Sequence, residues 1–398
     1  MILLIICIGI LVTAAYGIKN KIGNLRPAIL PPARTNEEPT SPLPSQLSDI
    51  INARISQPIS YLTAPQGFQI GNFAKNLGGA RDLQFSPGGT LLVSLPDQGK
   101  IVALPDKNQD GASDSSLEVL TRLNRPHGLA FYESFLFVAE LTQVVRYKWD
   151  ESNLTATKDK ILFALPYSGG HNTRSLVFNN KGQLFVSLGS SCNVCQEKND
   201  RLAGVIISDK DGNNPRVWAK GLRNSVFLTV NPSSDEVWAA DMGRDYLGDN
   251  LPPEEINIIR DGANYGWPIC YGNKIHDDKF DTNQYIRDPC EDSVSPIFEF
   301  PAHSAPLGLT FINSPQFLTD WQGDLLVAYH GSWNRSTPAG YKVVRMKVAG
   351  NTITCAEDFI TGFGQALARP VDLIFDSQGN LYISDDKAGV VYKLIKTP

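Results

Sequence analysis

Six stretches of this chain share one pattern: an apolar strand, a turn, a second strand of the LxVS type, a polar turn and usually a third strand. They start at Arg81 (RDLQFSPGGTLLVSLPDQGKIVAL), His127 (HGLAFYESFLFVAELTQVVRY), Arg174 (RSLVFNNKGQLFVSLG), Ser225 (SVFLTVNPSSDEVWAADMGRD), Leu307 (LGLTFINSPQFLTDWQGDLLVAYHG) and Val371 (VDLIFDSQGNLYISDDKAGVVYKL). Antiparallel meanders repeating every roughly 40 to 60 residues, with Gly, Asp and Asn at the turns, suit an all-β, six-bladed β-propeller with four-stranded antiparallel blades. A β-sandwich has no need of such a repeat. The segment GFQIGNFAK, residues 67–75, precedes the first full copy, and the last copy ends on its third strand at Leu394. The early strand is therefore expected to complete the last blade, closing the ring without a free edge.

Composition matters here for what it excludes. With 42% hydrophobic residues over 398 positions the chain can bury a large core, and disorder of the whole is ruled out. Only 19% of residues are charged, the net charge is -5, and no basic run occurs, so nucleic acid is not an expected partner. Residues 1–17 contain an uncharged apolar run, ILLIICIGILVTAA, of the length of a signal-peptide core. Lys19, Lys21 and Arg26 follow that run, which leaves signal peptide and membrane anchor both open, and either implies export to the periplasm or outside the cell. Residues 18–60, with LPPAR and EEPTSPLPSQ, read as a Pro-rich linker, leaving 61–398 for the propeller.

The phase of the repeat locates a site. In an antiparallel four-stranded blade, the loop before the innermost strand and the loop between the second and third strands lie on one face. The first set of loops carries Arg81, His127, His171 with Arg174, Arg223 with Asn224, His303 and Arg369. The second set carries Asp97, Glu140, Ser190, Asp241 to Asp245, His330 to Arg335, and Asp385 with Asp386. Four of the five histidines fall in these loops, and the fifth, His276, lies in a long insertion. One such residue more often caps a turn than does chemistry. Several at one mouth suit a small polyanionic ligand, since guanidinium forks grip carboxylates and imidazole takes a proton near neutral pH.

The motifs that carry these residues resemble a known family, the pyrroloquinoline quinone (PQQ) dependent soluble sugar dehydrogenases, which include sorbosone, aldose sugar and glucose dehydrogenases. The resemblance covers roughly residues 66–396 and rests on RPHGLAF, GGHNTRSLVFNNKGQLFVSLGSSCNVC, AKGLRNS, EEINIIRDGANYGWP, AHSAPLGLTFI, AYHGSWNR with GYKVVR, and ARPVDLIFDSQGNLYISDD, in that order. It implies that His171 is the general base that removes the hydroxyl proton at the sugar C1 while hydride passes to the quinone. It implies that Arg223 and Asn224 grip PQQ, the arginine also stabilising negative charge on the quinone as it is reduced. Arg369 matches a cofactor-carboxylate arginine, but the second arginine of that pattern is Val371 here, so His330 or Arg335 of HGSWNR is expected to supply the missing charge. His127 and His303 are further pocket candidates.

The same resemblance implies Ca²⁺ held by backbone carbonyls of the turn Gly243-Arg244, hard oxygen ligands being apt for that ion. Where the glucose-oxidising members have Gly-Pro, this chain has Gly-Arg. The implied partners are a sugar substrate and an external electron acceptor such as a quinone, cytochrome or dye. Residues 106–114, DKNQDGASD, look like the start of an acidic Ca²⁺ loop, yet no Glu stands at the twelfth position, which favours a solvated blade loop. Cys192 with Cys195 and Cys270 with Cys290 are plausible disulfides in an oxidising compartment, and a redox or zinc role for CNVC lacks a second CxxC or His pair. Two other function classes stay open: a Ca²⁺-dependent propeller lactonase or esterase, and a non-catalytic propeller that binds a glycan or protein.

Overall fold

The computed structural model describes residues 59–167 and 169–397. The expected signal peptide or anchor, and the linker as far as residue 58, lie outside the described residues. Apart from two single-turn 3-10 helices, Pro96–Gln98 and Thr319–Trp321, the regular elements described are strands.

Strand β1 (Phe68–Ala74) stands first in the chain. Blade 1 follows with β2 (Leu83–Phe85), β3 (Leu91–Leu95), β4 (Lys100–Leu104) and β5 (Leu117–Leu120). Blade 2 contains β6 (Leu129–Tyr132), β7 (Phe135–Glu140), β8 (Gln143–Asp150) and β9 (Thr155–Ala164). In blade 3 these are β10 (Leu176–Phe178), β11 (Gln183–Leu188), β12 (Gly204–Asp209) and β13 (Arg216–Lys220). Blade 4 uses β14 (Ser225–Val230), β15 (Val237–Asp241) and β16 (Glu254–Ile259); an insertion bearing the hairpin of β17 (Cys270–Tyr271) and β18 (Ile275–His276) then intervenes before its outer strand, β19 (Phe298–Phe300). Blade 5 has β20 (Pro306–Phe311), β21 (Leu325–Tyr329), β22 (Lys342–Ala349) and β23 (Thr352–Ile360). Blade 6 has β24 (Pro370–Phe375), β25 (Leu381–Asp385) and β26 (Val390–Lys396), and β1 is its fourth strand.

The molecule is thus the six-bladed propeller that the repeat requires. Ring closure also follows the sequence: β1 pairs antiparallel with β26, Ile70 opposite Leu394, so β26 has no free edge. Second strands such as LLVSL (β3), LLVAY (β21) and LYISD (β25) are buried at every position. Each is covered on both faces by neighbouring blades, which is why they read as short, nearly continuous apolar runs. Outer strands such as β23 are largely exposed.

Contacts between blades hold the ring. Trp238 on β15 has no exposed surface and meets Phe311 of the next blade edge-on, ring centroids 5.2 Å apart. Trp238→Ala is expected to lower the unfolding free energy by about 3–5 kcal/mol, read from urea denaturation, because the hole lies between two blades that cannot both collapse into it. Around the channel, Asp372 Oδ2 accepts the Leu83 N–H at 2.8 Å and Asp82 Oδ1 accepts the Leu129 N–H at 3.3 Å, latching blade 6 to blade 1 and blade 1 to blade 2. Gly128 lets the inner strands of blades 2 and 3 touch, since a Cβ there would stand 2.7 Å from the Arg174 carbonyl oxygen and 2.8 Å from the Ser175 Cα.

Candidate active site

Hydrogen bonds place the two loop sets on one face, as strand phase demands. The loop before an innermost strand repeatedly bonds the second-to-third-strand loop of the preceding blade. Arg81 reaches Asp386 at 2.8 Å, Arg125 reaches Asp97 at 2.7 Å, Arg223 reaches Asn193, and Arg369 donates to the carbonyls of His330 and Gly331.

His171 sits in the loop that leads into blade 3. Its Nδ1 lies 3.0 Å from both the carbonyl oxygen and the hydroxyl of Ser190. A carbonyl only accepts, so Nδ1 carries the proton and the Nε2 lone pair is left as the basic position. The Ser190 hydroxyl donates to the Cys192 carbonyl at 2.6 Å, and the Ser190 N–H donates to the Arg223 carbonyl at 2.8 Å, so the residue that orients the imidazole is itself fixed. Burial, reinforced by the Arg223 charge, pushes His171 down to about 3, which keeps the ring neutral at physiological pH.

Arg223 and Asn224 stand at the end of blade 3's outer connection, where β14 begins. Asp241, at the end of β15, caps that turn by accepting the backbone N–H groups of Arg223 at 3.0 Å and Asn224 at 2.9 Å. The Arg223 side chain is almost wholly buried, and its guanidinium donates to Asn193 O, Asn193 Oδ1, Asp245 Oδ2 and Met242 O at 2.8, 2.9, 3.2 and 3.3 Å. The Asn224 side-chain amide makes no hydrogen bond among the described residues, and its Oδ1 is buried without a partner. Gly189 sets how close these groups come: a Cβ there would lie 2.6 Å from Asn224 Oδ1 and 2.6 Å from the His171 Cβ. His171, Arg223 and Asn224 therefore form one cluster. An orphaned amide and a buried guanidinium beside a neutral imidazole fit a planar, carbonyl-bearing anion such as PQQ.

The turn Gly243-Arg244 is held from below. Glu254 accepts the Gly243 N–H at 2.7 Å, while the Arg244 side chain turns aside to Asp277, with Nη2 2.8 Å from Oδ1. No hydrogen bond reaches the carbonyl oxygen of either residue among the described residues. Beside the turn is a cavity of about 20 Å³ lined by Arg223, Asp241, Gly243, Arg244, Glu255 and Asp277, space for one water or ion. Free carbonyls beside a cavity with Asp241, Glu255 and Asp277 in its lining fit a hard cation such as Ca²⁺, and the arginine that stands where the family has proline is paired with Asp277 at the cavity wall.

The remaining expected residues spread around the mouth. His330 bonds Asp386 at 2.9 Å, and burial pushes it down to about 4 despite that carboxylate, so it brings no fixed positive charge. Arg335 reaches away to Asn250 at 3.1 Å. Arg369 spends its guanidinium on two carbonyls and lies over Tyr341. His303 Nε2 bonds the Gly248 carbonyl at 2.8 Å, and His127 is fully buried against Phe227, its ring nitrogens making no hydrogen bond of good geometry among the described residues. A cavity of about 250 Å³ is lined by Arg81, Arg125, His127, Asn172, Thr173, Asp97 and Asp386 among others, placing two arginines beside the loop of His171.

Both expected disulfides are formed, Cys192–Cys195 and Cys270–Cys290. The acidic loop 106–114 connects β4 and β5 on the opposite face, and its carboxylates accept its own backbone N–H groups: Asp114 from Lys107, Asp106 from Gly111, Asp110 from Ala112. Among the described residues, one trio of His, Cys, Asp or Glu side chains comes close enough to share an ion, Cys192, Cys195 and Glu197, and its cysteines are joined to each other.

Glu254 and Glu255 were legible only as the start of an apolar strand, EEINII, yet each caps a site loop, the second through the Gly272 N–H at 2.7 Å. Burial pushes both carboxyls up to about 8. A raised folded-state value gives stability that is complete below the ordinary value of 4.5 and is lost as pH rises through about 8. The depressed His171 and His330 act in the other direction only below their ordinary 6.5. The urea midpoint of the metal-free protein is accordingly expected to fall from pH 6.5 to about 9. A midpoint that rises over this window contradicts the burial of ionisable carboxyls beneath the turn.

A family model described as TrAA12-like matches residues 62–397. A pyrroloquinoline quinone-dependent pyranose dehydrogenase of Coprinopsis cinerea is 27% identical over 84% of this chain and 55% of its own length, so the chain spans about half of that relative. An aldose sugar dehydrogenase of Escherichia coli is 27% identical over 57% of this chain and 60% of its own. The holo PQQ domain of the Coprinopsis cinerea pyranose dehydrogenase has the same fold, with a TM-score of 0.73 at 23% identity over 84% of this chain and 97% of that domain.

Proposed function

Because the chain belongs to the TrAA12-like family, we propose that it is a PQQ-dependent dehydrogenase that oxidises an aldose or related sugar aldehyde or hemiacetal at C1. The observation that carries this reading is the cluster of His171, Arg223 and Asn224, with the free lone pair on Nε2 of a neutral imidazole. The relative named as a PQQ-dependent pyranose dehydrogenase supports the cofactor, and that relative and the one named as an aldose sugar dehydrogenase support the substrate class.

PQQ, held by Arg223 and Asn224, would supply the two-electron acceptor for the C1 hydride, and Ca²⁺, held by the Gly243 and Arg244 carbonyls, would add positive charge to the site. His171 takes the hydroxyl proton of the sugar on Nε2 while its Nδ1–H stays on the Ser190 carbonyl, so the ring cannot turn away from the substrate. Arg223 offers a fixed positive charge in a buried setting where it weighs more than in water. Asn224 offers its unused amide to the cofactor, and Arg369, Arg335, His330, His127 and His303, on the loops around it, are further candidate contacts for the cofactor. After the chemical step His171 returns the proton to solvent, and an external quinone, cytochrome or dye takes the electrons. Disulfides are consistent with an exported enzyme of the periplasm or cell exterior. No helix among the described residues is long and apolar enough to cross a membrane, and the tether at 1–17 remains part of the proposal.

The test is to titrate the metal-free apoprotein with PQQ, with and without Ca²⁺, following cofactor absorbance, and then to measure dye reduction with a panel of aldoses. Saturable binding tightened by Ca²⁺, and reduction with at least one sugar, are expected. Absence of both overturns the reading, and hydrolysis of a lactone without PQQ would favour a Ca²⁺-dependent lactonase instead.

A further inference from the structure

We propose that Asn193, at the tip of the Cys192–Cys195 ring, is a positioning residue that sets the Arg223 guanidinium in the site, and that the disulfide is what holds it there. This rests on the dehydrogenase reading for its catalytic meaning. Its geometry stands on its own.

The Asn193 side chain uses both ends of its amide. Oδ1 accepts from Arg223 Nη2 at 2.9 Å and from the Asp245 backbone N–H at 2.8 Å, and Nδ2 donates to the Asp245 carbonyl at 3.2 Å. Its own carbonyl accepts from Arg223 Nε at 2.8 Å. One residue of blade 3 thereby fixes an arginine and a turn of blade 4, and Asp245 is tied in turn to blade 5 by Asn334 Nδ2 at 2.6 Å. Alanine at 193 would leave Arg223 Nη2 with Asp245 alone, at 3.2 Å. Aspartate would keep the acceptors but lose the Nδ2 donor.

The ring fixes Asn193 from both sides. Only Asn193 and Val194 stand between the bonded cysteines. At one end, the Cys192 carbonyl accepts the Ser190 hydroxyl at 2.6 Å, and Ser190 orients His171. Beyond that, Glu197 accepts both the N–H and the hydroxyl of Ser191, at 2.6 and 2.8 Å. A single covalent loop thus touches the partner of the base and the partner of the arginine. A ring that only stapled the surface would have no reason to direct its carbonyls and its amide at these two groups.

The experiment compares the full protein with Asn193→Ala, with Cys192→Ser/Cys195→Ser, and with Val194→Ala, which alters the ring but none of its polar contacts. PQQ affinity is read by absorbance titration, kcat and KM with an aldose, Tm by calorimetry, and the Arg223 Nε–H signal in ¹⁵N-arginine-labelled apoprotein. Asn193→Ala and the double serine variant are expected to weaken PQQ binding about tenfold, the effect of one hydrogen bond to a charged group. Both should lower kcat more than they raise KM, and both should speed solvent exchange of the Arg223 Nε–H; Val194→Ala should match the parent. The proposal is overturned if Asn193→Ala leaves the Arg223 signal and the PQQ affinity unchanged, or if Val194→Ala is as impaired as Asn193→Ala. The arginine signal needs no cofactor, so a parent that binds no PQQ would sink the dehydrogenase reading while the positioning role is still decided.

Discussion

His171→Ala is expected to bind PQQ with nearly the parent's affinity and to lose about 10²–10⁴ in kcat, the range a positioned general base supplies. The separation of the two effects follows from the geometry. The imidazole's one hydrogen-bonded nitrogen faces Ser190, and Arg223 is held by Asn193, Met242 and Asp245 without any help from the ring. Removing the ring therefore removes the proton acceptor and leaves the anion-binding groups where they were. Steady-state dye reduction beside an absorbance titration reads both quantities. A variant as active as the parent means that the proton leaves by another route.

Arg223→Ala should fail in both respects, and in stability as well. The arginine is buried and its partner Asp245 is mostly so, with side-chain exposures of 6% and 21%. Truncating one member of such a pair strands the other, and because Asp245 keeps some contact with water the cost should sit at the low end, about 3 kcal/mol. PQQ binding should be undetectable under conditions that saturate the parent. Arg223→Lys is not expected to rescue it, since one ammonium cannot serve four acceptors on two loops. Urea denaturation and cofactor titration measure the two losses separately. A variant that binds PQQ normally would remove Arg223 from the cofactor's surroundings.

The ring of blades and the face that bears the site were legible because both follow from short-range facts. Strand periodicity gives the repeat, and strand phase decides which loops share a face. That reasoning brought His171, Arg223, Asn224 and the Gly243-Arg244 turn to one place, and it anticipated β1 as the strand that closes blade 6. What each side chain does there depends on partners far away in sequence. Arg81 and Asp386 are separated by 305 residues, and Asn334 and Asp245 by 89. HGSWNR advertises two cationic candidates, yet Arg335 reaches Asn250 and His330 stays neutral on Asp386. Two further arginines line the mouth, Arg81 and Arg125, each paired with a carboxylate, Asp386 and Asp97, and the first read only as one loop residue among many. CNVC read as a staple, because nothing local reveals that its asparagine spans to Asp245.

The central claim is that this site passes a sugar's hydride to PQQ with His171 as the base. Mixing the PQQ- and Ca²⁺-loaded protein with an aldose under anaerobic conditions, without any dye, tests it most directly through loss of the oxidised cofactor's absorbance. The account predicts one cofactor equivalent lost per protein in a fast single phase for the parent, and the same amplitude at a rate slower by about 10²–10⁴ for His171→Ala. No loss of absorbance in the parent with any aldose, or equal rates in the two proteins, would contradict it.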